Sequence, residues 1–498
     1  MIRNFLKYNW TAKLLVCLMV FVTMPSSLFG QKSPKVKQFD DIIQFKLNPE
    51  ERRIFDTVQY KTFQYFWNGA EPNSGMACER VHMDNDYPEH DQHIVTTGGS
   101  GFGVMAIMVG IYRGWITETE GADRLIKILD FLEKADRFHG AWPHWIDGET
   151  GKVKPFGQKD NGGDLVESSF LMQGLLCVKE FIDQKTKPEK LKLIPNGQAF
   201  QLRQKQKYIS DKIDQFWREM EFDWYTRGED VLYWHWSPSY GWQMNFKVRG
   251  YNECLIMYVL AASSPTHPIS AKVYHNGWAE SGKIKAKKPI QYNKVQLDLR
   301  YQGNPPNGGP LFWSHYSYLG LNPMGLSDKY CSNYGRENIG LSMINYLWCI
   351  NNPMKYKGYG DSSWGLTASY SVKFYAAHAP DSVNDVGVIS PTAAMSSYPY
   401  TPIPSTKAMV NWVKNKPQLL GQYGFYDAFS EQDNWMKPHY LAIDQGPAVV
   451  MMENYRSGLF WALFMSNNDI QNGLLKLGFK TPSISAVKIK AYKKAPKK

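Results

Sequence analysis

Helical periodicity recurs from one end of this chain to the other, interrupted by stretches too long and too aromatic to be ordinary connections. Thr117-x-x-Glu120 is a capping box, in which the threonine oxygen and the glutamate each satisfy an orphan amide at a helix start. Leu125, Ile128, Leu129 and Leu132 follow at i, i+3, i+4 and i+7, a single buried stripe. Comparable readings fit 50–67, 101–113, 164–182, 201–220, 250–262, 337–351, 406–416 and 457–465. Between them lie 138–163, 221–249, 298–336 and 355–404, rich in aromatic residues, Gly and Pro. Connections of that length carry function more often than short ones do. Runs of strand alternation are few, which disfavours a sandwich, a propeller or a parallel sheet. The pattern predicts an all-α body of helical hairpins closed into a toroid, with aromatic-rich loops at one end over a groove or pocket.

The net charge of +11 invites a nucleic-acid or membrane-surface reading, so its location matters. Arg3, Lys7 and Lys13 precede the apolar run Leu14 to Val22, a secretory signal layout with cleavage expected near Gly30. The run is shorter than the ~20 residues that span a bilayer. Residues 488–498 hold six lysines and no acid, the mark of a disordered basic tail. Five more lysines fall between 283 and 294. The remaining body is slightly acidic, which excludes a basic nucleic-acid groove. The expectation is a signal peptide over 1–30, a single domain over 31–487, and a soluble periplasmic or secreted protein. Five cysteines follow residue 30 without a C-x-x-C pair, which indicates neither a zinc site nor a full disulfide framework. Cys177 and Cys254 lie in apolar runs and read as small buried hydrophobes.

Several motifs fail on their details. Gly98-Gly-Ser-Gly-Phe-Gly103 lacks the Lys-Ser/Thr of a phosphate loop and reads as a glycine-rich helix start. The stretch from His82 through Asp84 and Asp86 to His93 offers metal-ligand atoms but lacks the glycine and terminal glutamate of an EF-hand. Neither a metal nor another cofactor is expected.

Four acids sit in surroundings unusual for surface carboxylates. Asp164 and Glu167 fall at i and i+3 at a helix N-terminus, where dipole and free amides stabilise negative charge. Glu253 heads the apolar run Cys254-Leu-Ile-Met-Tyr-Val-Leu, where desolvation should raise its pKa towards that of a proton donor. Asp444 lies in Leu441-Ala-Ile-Asp-Gln-Gly-Pro, again beside apolar residues. The plainer alternative is that Asp164 and Glu167 cap a helix and Glu253 pairs with Arg249. Aromatic residues tilt the balance: Trp142, His144 and Trp145; Trp234, Trp236 and Trp242; Phe312, Trp313, His315 and Tyr316; and Trp364. Aromatic faces stack on pyranose rings while carboxylates and arginine bond the hydroxyls, so acids interleaved with tryptophans suit a carbohydrate groove.

Motifs in order extend this. Tyr65-Phe-Trp, Gly101-Phe-Gly, Arg113-Gly-Trp-Ile-Thr, His139-Gly-Ala-Trp-Pro-His-Trp, Gly250-Tyr-Asn-Glu, Ser264-Pro-Thr-His-Pro, Trp364-Gly-Leu-Thr-Ala-Ser, Ser390-Pro-Thr-Ala-Ala, Tyr423-Gly-Phe-Tyr-Asp-Ala-Phe and Ile443-Asp-Gln-Gly-Pro together resemble glycoside hydrolase family 144, over roughly residues 50–480. These are glycoamylase-like proteins whose members cut β-1,2-glucan. The resemblance implies an (α/α)6 toroid and hydrolysis with inversion, one acid protonating the glycosidic oxygen while a carboxylate activates water. It assigns Glu253 as the acid and Asp444 as the base, with Asp164 as an alternative base. Asp164, Glu167, Trp142, His144, Arg249, His315, Tyr316 and Trp364 are the expected substrate-binding set, and a neutral glucan or glucooligosaccharide the partner. Residues 184–200 and 275–310 look like added loops. A loop beside the groove would block one end, so the expectation leans to exo release of sophorose, with endo-β-1,2-glucanase action as the alternative. A lyase or phosphorylase on a similar toroid and a non-catalytic glycan-binding protein are the remaining rivals.

Overall fold

A helix that is apolar on every face has to be surrounded by protein, and this chain builds a ring of such helices inside a second ring. The computed structural model describes residues 45–87, 90–185 and 197–482, all within one compact unit. The expected signal peptide and basic tail lie outside the described residues, as does 186–196 within the first suspected added loop. In chain order the helices are α1 (Pro49–Trp67), α2 (Thr97–Arg113), α3 (Glu118–Lys134), α4 (Leu165–Lys185), α5 (Gly197–Glu219), α6 (Leu255–Ser263), α7 (Tyr334–Asn351), α8 (Pro391–Ser396), α9 (Pro402–Asn415), α10 (Ala442–Ser457), α11 (Leu459–Ser466) and α12 (Asn468–Leu477).

The inner ring runs α2, α4, α6, the 3₁₀ turns Leu311–Ser314 and Tyr316–Tyr318, α8 and α10, and closes where α10 packs on α2. The 3₁₀ segment joins α8 through His315 Nε2, 3.0 Å from Ser397 Oγ, and the Tyr400 hydroxyl, which donates to the Ser314 carbonyl at 3.0 Å. Helices α1, α3, α5, α12, α7 and α9 pack outside, which makes the (α/α)6 toroid. Every residue of α6 is buried, as its uninterrupted apolar run requires, whereas α3 buries only Gly121, Ala122, Leu125, Ile128, Leu129 and Leu132. The capping box at Thr117 and Glu120 is formed, and Asn48 and Glu51 make another before α1. Inner neighbours α2 and α4 touch backbone to backbone. A Cβ on Gly101 would lie 2.4 Å from the Phe170 carbonyl oxygen, and one on Gly174 2.1 Å from that of Gly101. The glycines of Gly98–Gly103 are therefore helix-packing residues within α2.

Inner helices all run the same way, so their N-termini gather at one end of the toroid. Short antiparallel strands pin the loops there. Strand β1 (Arg80–His82) pairs with β8 (His439–Leu441) ahead of α10, β2 (Ile94–Thr96) with β3 (Trp145–Asp147) ahead of α2, and β4 (Gly163–Asp164) with β5 (His235–Trp236) ahead of α4. A further hairpin, β6 (Lys285–Tyr292) and β7 (Val295–Leu299), lies within the second suspected insertion, 275–310. It buries Val295, Leu297 and Leu299 and packs along the outer helix α7, where Glu337 accepts the Asp298 and Leu299 amides. Lys283, Lys285, Lys287, Lys288 and Lys294 all face solvent. The lysine-rich part of the insertion thus adds a layer behind α7, while at the insertion's far end Gln302 accepts the Asn252 side-chain amide at 2.8 Å, next to Glu253. The five cysteines among the described residues are buried and free.

Candidate active site

The gathered N-termini bring the four acids together. Asp164 immediately precedes α4, Glu167 lies in its first turn, Glu253 lies two residues before α6, and Asp444 is in the first turn of α10. Tyr316, from the inner 3₁₀ segment, stands among them, and its hydroxyl faces Asp444, Tyr375, Glu167 and Glu253. The environments of the four differ, and so do their protonation states.

Glu253 is 9% exposed, and burial pushes its carboxyl up to about 7. Its Oε2 has no hydrogen-bond partner among the described residues. Arg249, the alternative ion-pair partner, is exposed and does not enter Glu253's electrostatic surroundings. Glu253 therefore has no ionic partner among the described residues, and burial favours its protonated form. Asp444, also buried, is pushed well above the usual carboxylate range by burial and by Asp427, with which it shares a hydrogen bond. Burial raises Asp427 to about 7 while the Tyr370 amide, donating to its Oδ2 at 2.8 Å, works the other way.

Asp164 is the opposite case. Its Oδ1 caps α4 by accepting the Glu167 amide at 2.9 Å, so the plainer helix-capping reading is also met. Its Oδ2 lies 3.1 Å from His144 Nδ1 and 3.3 Å from His235 Nε2 and accepts the Trp234 indole N–H at 3.0 Å. Despite burial, the two imidazoles hold it well below the ordinary range, and it in turn helps raise His144 to about 10 and His235 to about 9. Asp160 completes the cluster, 3.1 Å from His235 and 3.8 Å from His144. Glu167 accepts the Gly98 amide at 2.9 Å, and burial beside Asp164 raises its carboxyl to about 7.

His144, Asp160, Asp164 and His235 also have the donor types and spacing for a divalent cation. Two imidazolium and two carboxylate groups already neutralise one another, and a cation would have to displace both protons. A second cluster, His82, Asp84 and His439, is less suited. Its imidazoles are stacked 3.6 Å apart and 9° from parallel. Their lone pairs lie in separate parallel planes and do not converge on one ion.

Three expected sugar contacts prove to be core residues. Trp142 is fully buried, donates its indole N–H to the Leu132 carbonyl and packs edge-on to Phe216. Trp364 is fully buried against Tyr346 and reaches the Pro404 carbonyl. His315 braces the inner ring through Ser397, and burial pushes it down to about 3, a neutral imidazole with no path to solvent. Burial decides these cases, and burial is not encoded in residue type. Half-buried Trp234, Phe312 and Tyr370, and the exposed Tyr375, are aromatic groups that remain accessible near the acids. Phe156 stacks on His144 at 4.2 Å.

The site also contains residues that sequence reasoning did not single out. Glu79 precedes β1 and its carbonyl accepts the Ala442 amide at the start of α10. Its carboxyl, raised by burial, faces Arg80, His144 and Asp91 and acts on Glu167 and Asp444. Asp427 sat within a recognised motif without a role, while Asp160 and His235 carry no spacing signal and are brought in by the β4–β5 pairing.

The Glycoamylase family profile matches residues 245–468. An exo β-1,2-glucooligosaccharide sophorohydrolase (non-reducing end) of Parabacteroides distasonis is 44% identical over 442 residues, covering 86% of this chain and 58% of that protein. The chain thus spans little more than half the length of that curated relative. The solved endo-β-1,2-glucanase of Chitinophaga pinensis, in complex with sophorotriose and glucose, is 60% identical with a TM-score of 0.82, over 88% of this chain and 100% of that one. An endo-β-1,2-glucanase of Talaromyces funiculosus shares the fold at 12% identity, with a TM-score of 0.61 over 88% of this chain and 90% of that one.

Proposed function

The chain belongs to glycoside hydrolase family 144, the glycoamylase-like proteins, and from that premise we propose that it hydrolyses β-1,2-glucans and their oligosaccharides with inversion. The observation that carries the reading is that the Tyr316 hydroxyl faces two buried carboxyl groups, Glu253 without an ionic partner among the described residues and Asp444 coupled to Asp427. Glu253, its protonated form favoured by burial, is equipped to donate to the glycosidic oxygen. Asp444, raised by burial and by Asp427, would accept the proton of the attacking water or of a substrate hydroxyl that relays it only as part of a pair that carries one negative charge. Asp164, held ionised by His144 and His235, and Glu167, held by the Gly98 amide, would bond sugar hydroxyls. Trp234 and Phe312 offer faces for the rings. This hydrolysis uses only side chains and water.

Two modes of attack fit the same chemistry. Exo release of sophorose is the printed activity of the Parabacteroides relative, and matches the expectation from sequence. Endo cleavage is that of the Chitinophaga relative, which is more similar and is covered from end to end. Incubation with long β-1,2-glucan, with products resolved by size and anomeric form, tests all of this. Initial α-anomeric products from the β-linked chain support inversion; an early ladder selects endo action and sophorose alone selects exo. No release of reducing ends would sink the functional reading. We place the mature protein in the periplasm or outside the cell on the strength of Arg3, Lys7, Lys13 and the apolar run after them; fractionation of the expressing cell checks this.

A further inference from the structure

We propose that Asp427 is a positioning residue for the hydrolysis: it shares one proton with Asp444, and the two carboxyl groups act as a single base of one negative charge. The inference rests on the functional reading above for its catalytic meaning but on geometry for the pair itself. Asp427 is 1% exposed and Asp444 4%. Asp427 is fixed from three sides: its amide donates to the His439 carbonyl at 2.9 Å, its carbonyl accepts the Ser390 hydroxyl at 2.7 Å, and its Oδ2 accepts the Tyr370 amide at 2.8 Å. It cannot turn away from Asp444. Two carboxyl groups in hydrogen-bond contact and out of water do not both ionise, because the second charge would be both desolvated and repelled.

The groups facing the pair reinforce this. Glu79 approaches from the β1 side, Tyr316 from the inner 3₁₀ segment, and Tyr370 and Tyr375 from the turn that joins Ala368–Ser369 to its antiparallel partner Ala376–Ala377. Glu167 and Glu253 lie across Tyr316. Arg80 acts on Tyr370 and is itself engaged by Asp91 at 3.4 Å. The Tyr370 amide favours the charge on Asp427, so the shared proton rests on Asp444 in the empty site. Asp427 Oδ1 and Asp444 Oδ2 are both buried with no donor among the described residues, as two facing carboxyl oxygens that share a proton would be.

The proton then moves as follows. Asp444 takes a proton from the water or substrate hydroxyl on the oxygen not shared with Asp427, while the shared hydrogen passes to the Asp427 carboxylate. One O–H bond breaks and one forms at Asp444, and the pair goes from one negative charge to none. The same proton leaves to solvent when the product departs. Without Asp427, Asp444 would be an ordinary buried aspartate that has to ionise alone.

The test uses the full-length protein. In Asp427→Asn, the amide keeps the hydrogen bond but cannot share or receive a proton. The acidic limb of its kcat/KM profile should move by about one pH unit or more, with kcat lowered and KM little changed. A purely structural role would lower kcat equally at every pH, so a profile that superimposes on wild type after scaling overturns the proposal. Infrared titration of wild-type protein carrying ¹³C-carboxyl aspartate provides a second reading that needs no variant to fold. One buried aspartic acid band should persist near neutrality, and its absence overturns the proposal. That measurement is independent of substrate, so an inactive wild type would defeat the functional reading and leave the shared proton to be judged on its own.

Discussion

Replacing Glu253 by glutamine should abolish activity and, at high pH, make the protein more stable. Burial carries the carboxyl from an ordinary 4.5 to about 7, a change worth about 3 kcal/mol. Because the folded value is raised, stability is fully present below pH 4.5. It falls as pH climbs from there, since the unfolded chain releases its proton first, and the loss is complete once pH has passed the folded value of about 7. Glutamine has nearly the same shape and no charge to desolvate. The difference between Glu253→Gln and wild type should therefore be near zero at pH 4 and about 3 kcal/mol in favour of the variant at pH 9. Taking the difference removes Glu167, Asp427, Asp444 and Glu337, which are also raised by burial. Urea unfolding at the two pH values measures it. Reducing-end release should fall by about 10²- to 10⁴-fold, as expected for loss of a general acid. A variant that retains more than about a tenth of wild-type activity would refute the role. A stability difference that does not vary with pH would refute the burial argument behind it.

Trp142→Ala should cost about 3–5 kcal/mol of stability, as for a fully buried aromatic side chain, while the folded fraction binds glucooligosaccharide with unchanged affinity. Chemical denaturation and calorimetric binding separate this from a sugar-stacking role, in which affinity would fall and stability would hold. Asp164→Asn removes the anion that helps hold His144 at about 10 and His235 at about 9. Both values should drop in an NMR titration of the imidazoles. The stabilisation lost by the variant should be greatest between about pH 4 and 6.5, where Asp164 is ionised and both imidazoles are charged in either state, and should fall away below that window and as pH rises through 9 to 10.

Most outer and inner helices were legible because capping and periodicity are local. Thr117 and Glu120, and the stripe from Leu125 to Leu132, behave as their spacing requires. Helix α10 was not read because Gly446 and Pro447 interrupt its pattern, yet it packs its glycine against Phe102 and buries the whole face that carries Asp444. Asp164, Glu167, Glu253 and Asp444 stood out because each is an acid beside an apolar run, a local contradiction that the one-dimensional pattern exposes. The tryptophans were a weaker guide: Trp142 and Trp364 have neighbours much like those of Trp234, and only the three-dimensional packing puts two of them in the core and one beside Asp164.

The amino-acid sequence by itself determined that helices would form, which of them would be buried on all sides, and which acids could not be solvated surface groups. Those properties depend on residues within a few turns of one another. Only the tertiary structure decided how the acids differ in charge. Asp164 meets two imidazoles through the β4–β5 pairing, 70 residues apart at its contact with Trp234. Asp444 meets Asp427 through the β1–β8 loop region, and Glu253 meets no counter-ion among the described residues. A carboxyl group's proton affinity is set by what lies within a few ångströms of it, and closure of the inner ring, not chain order, brings those neighbours there.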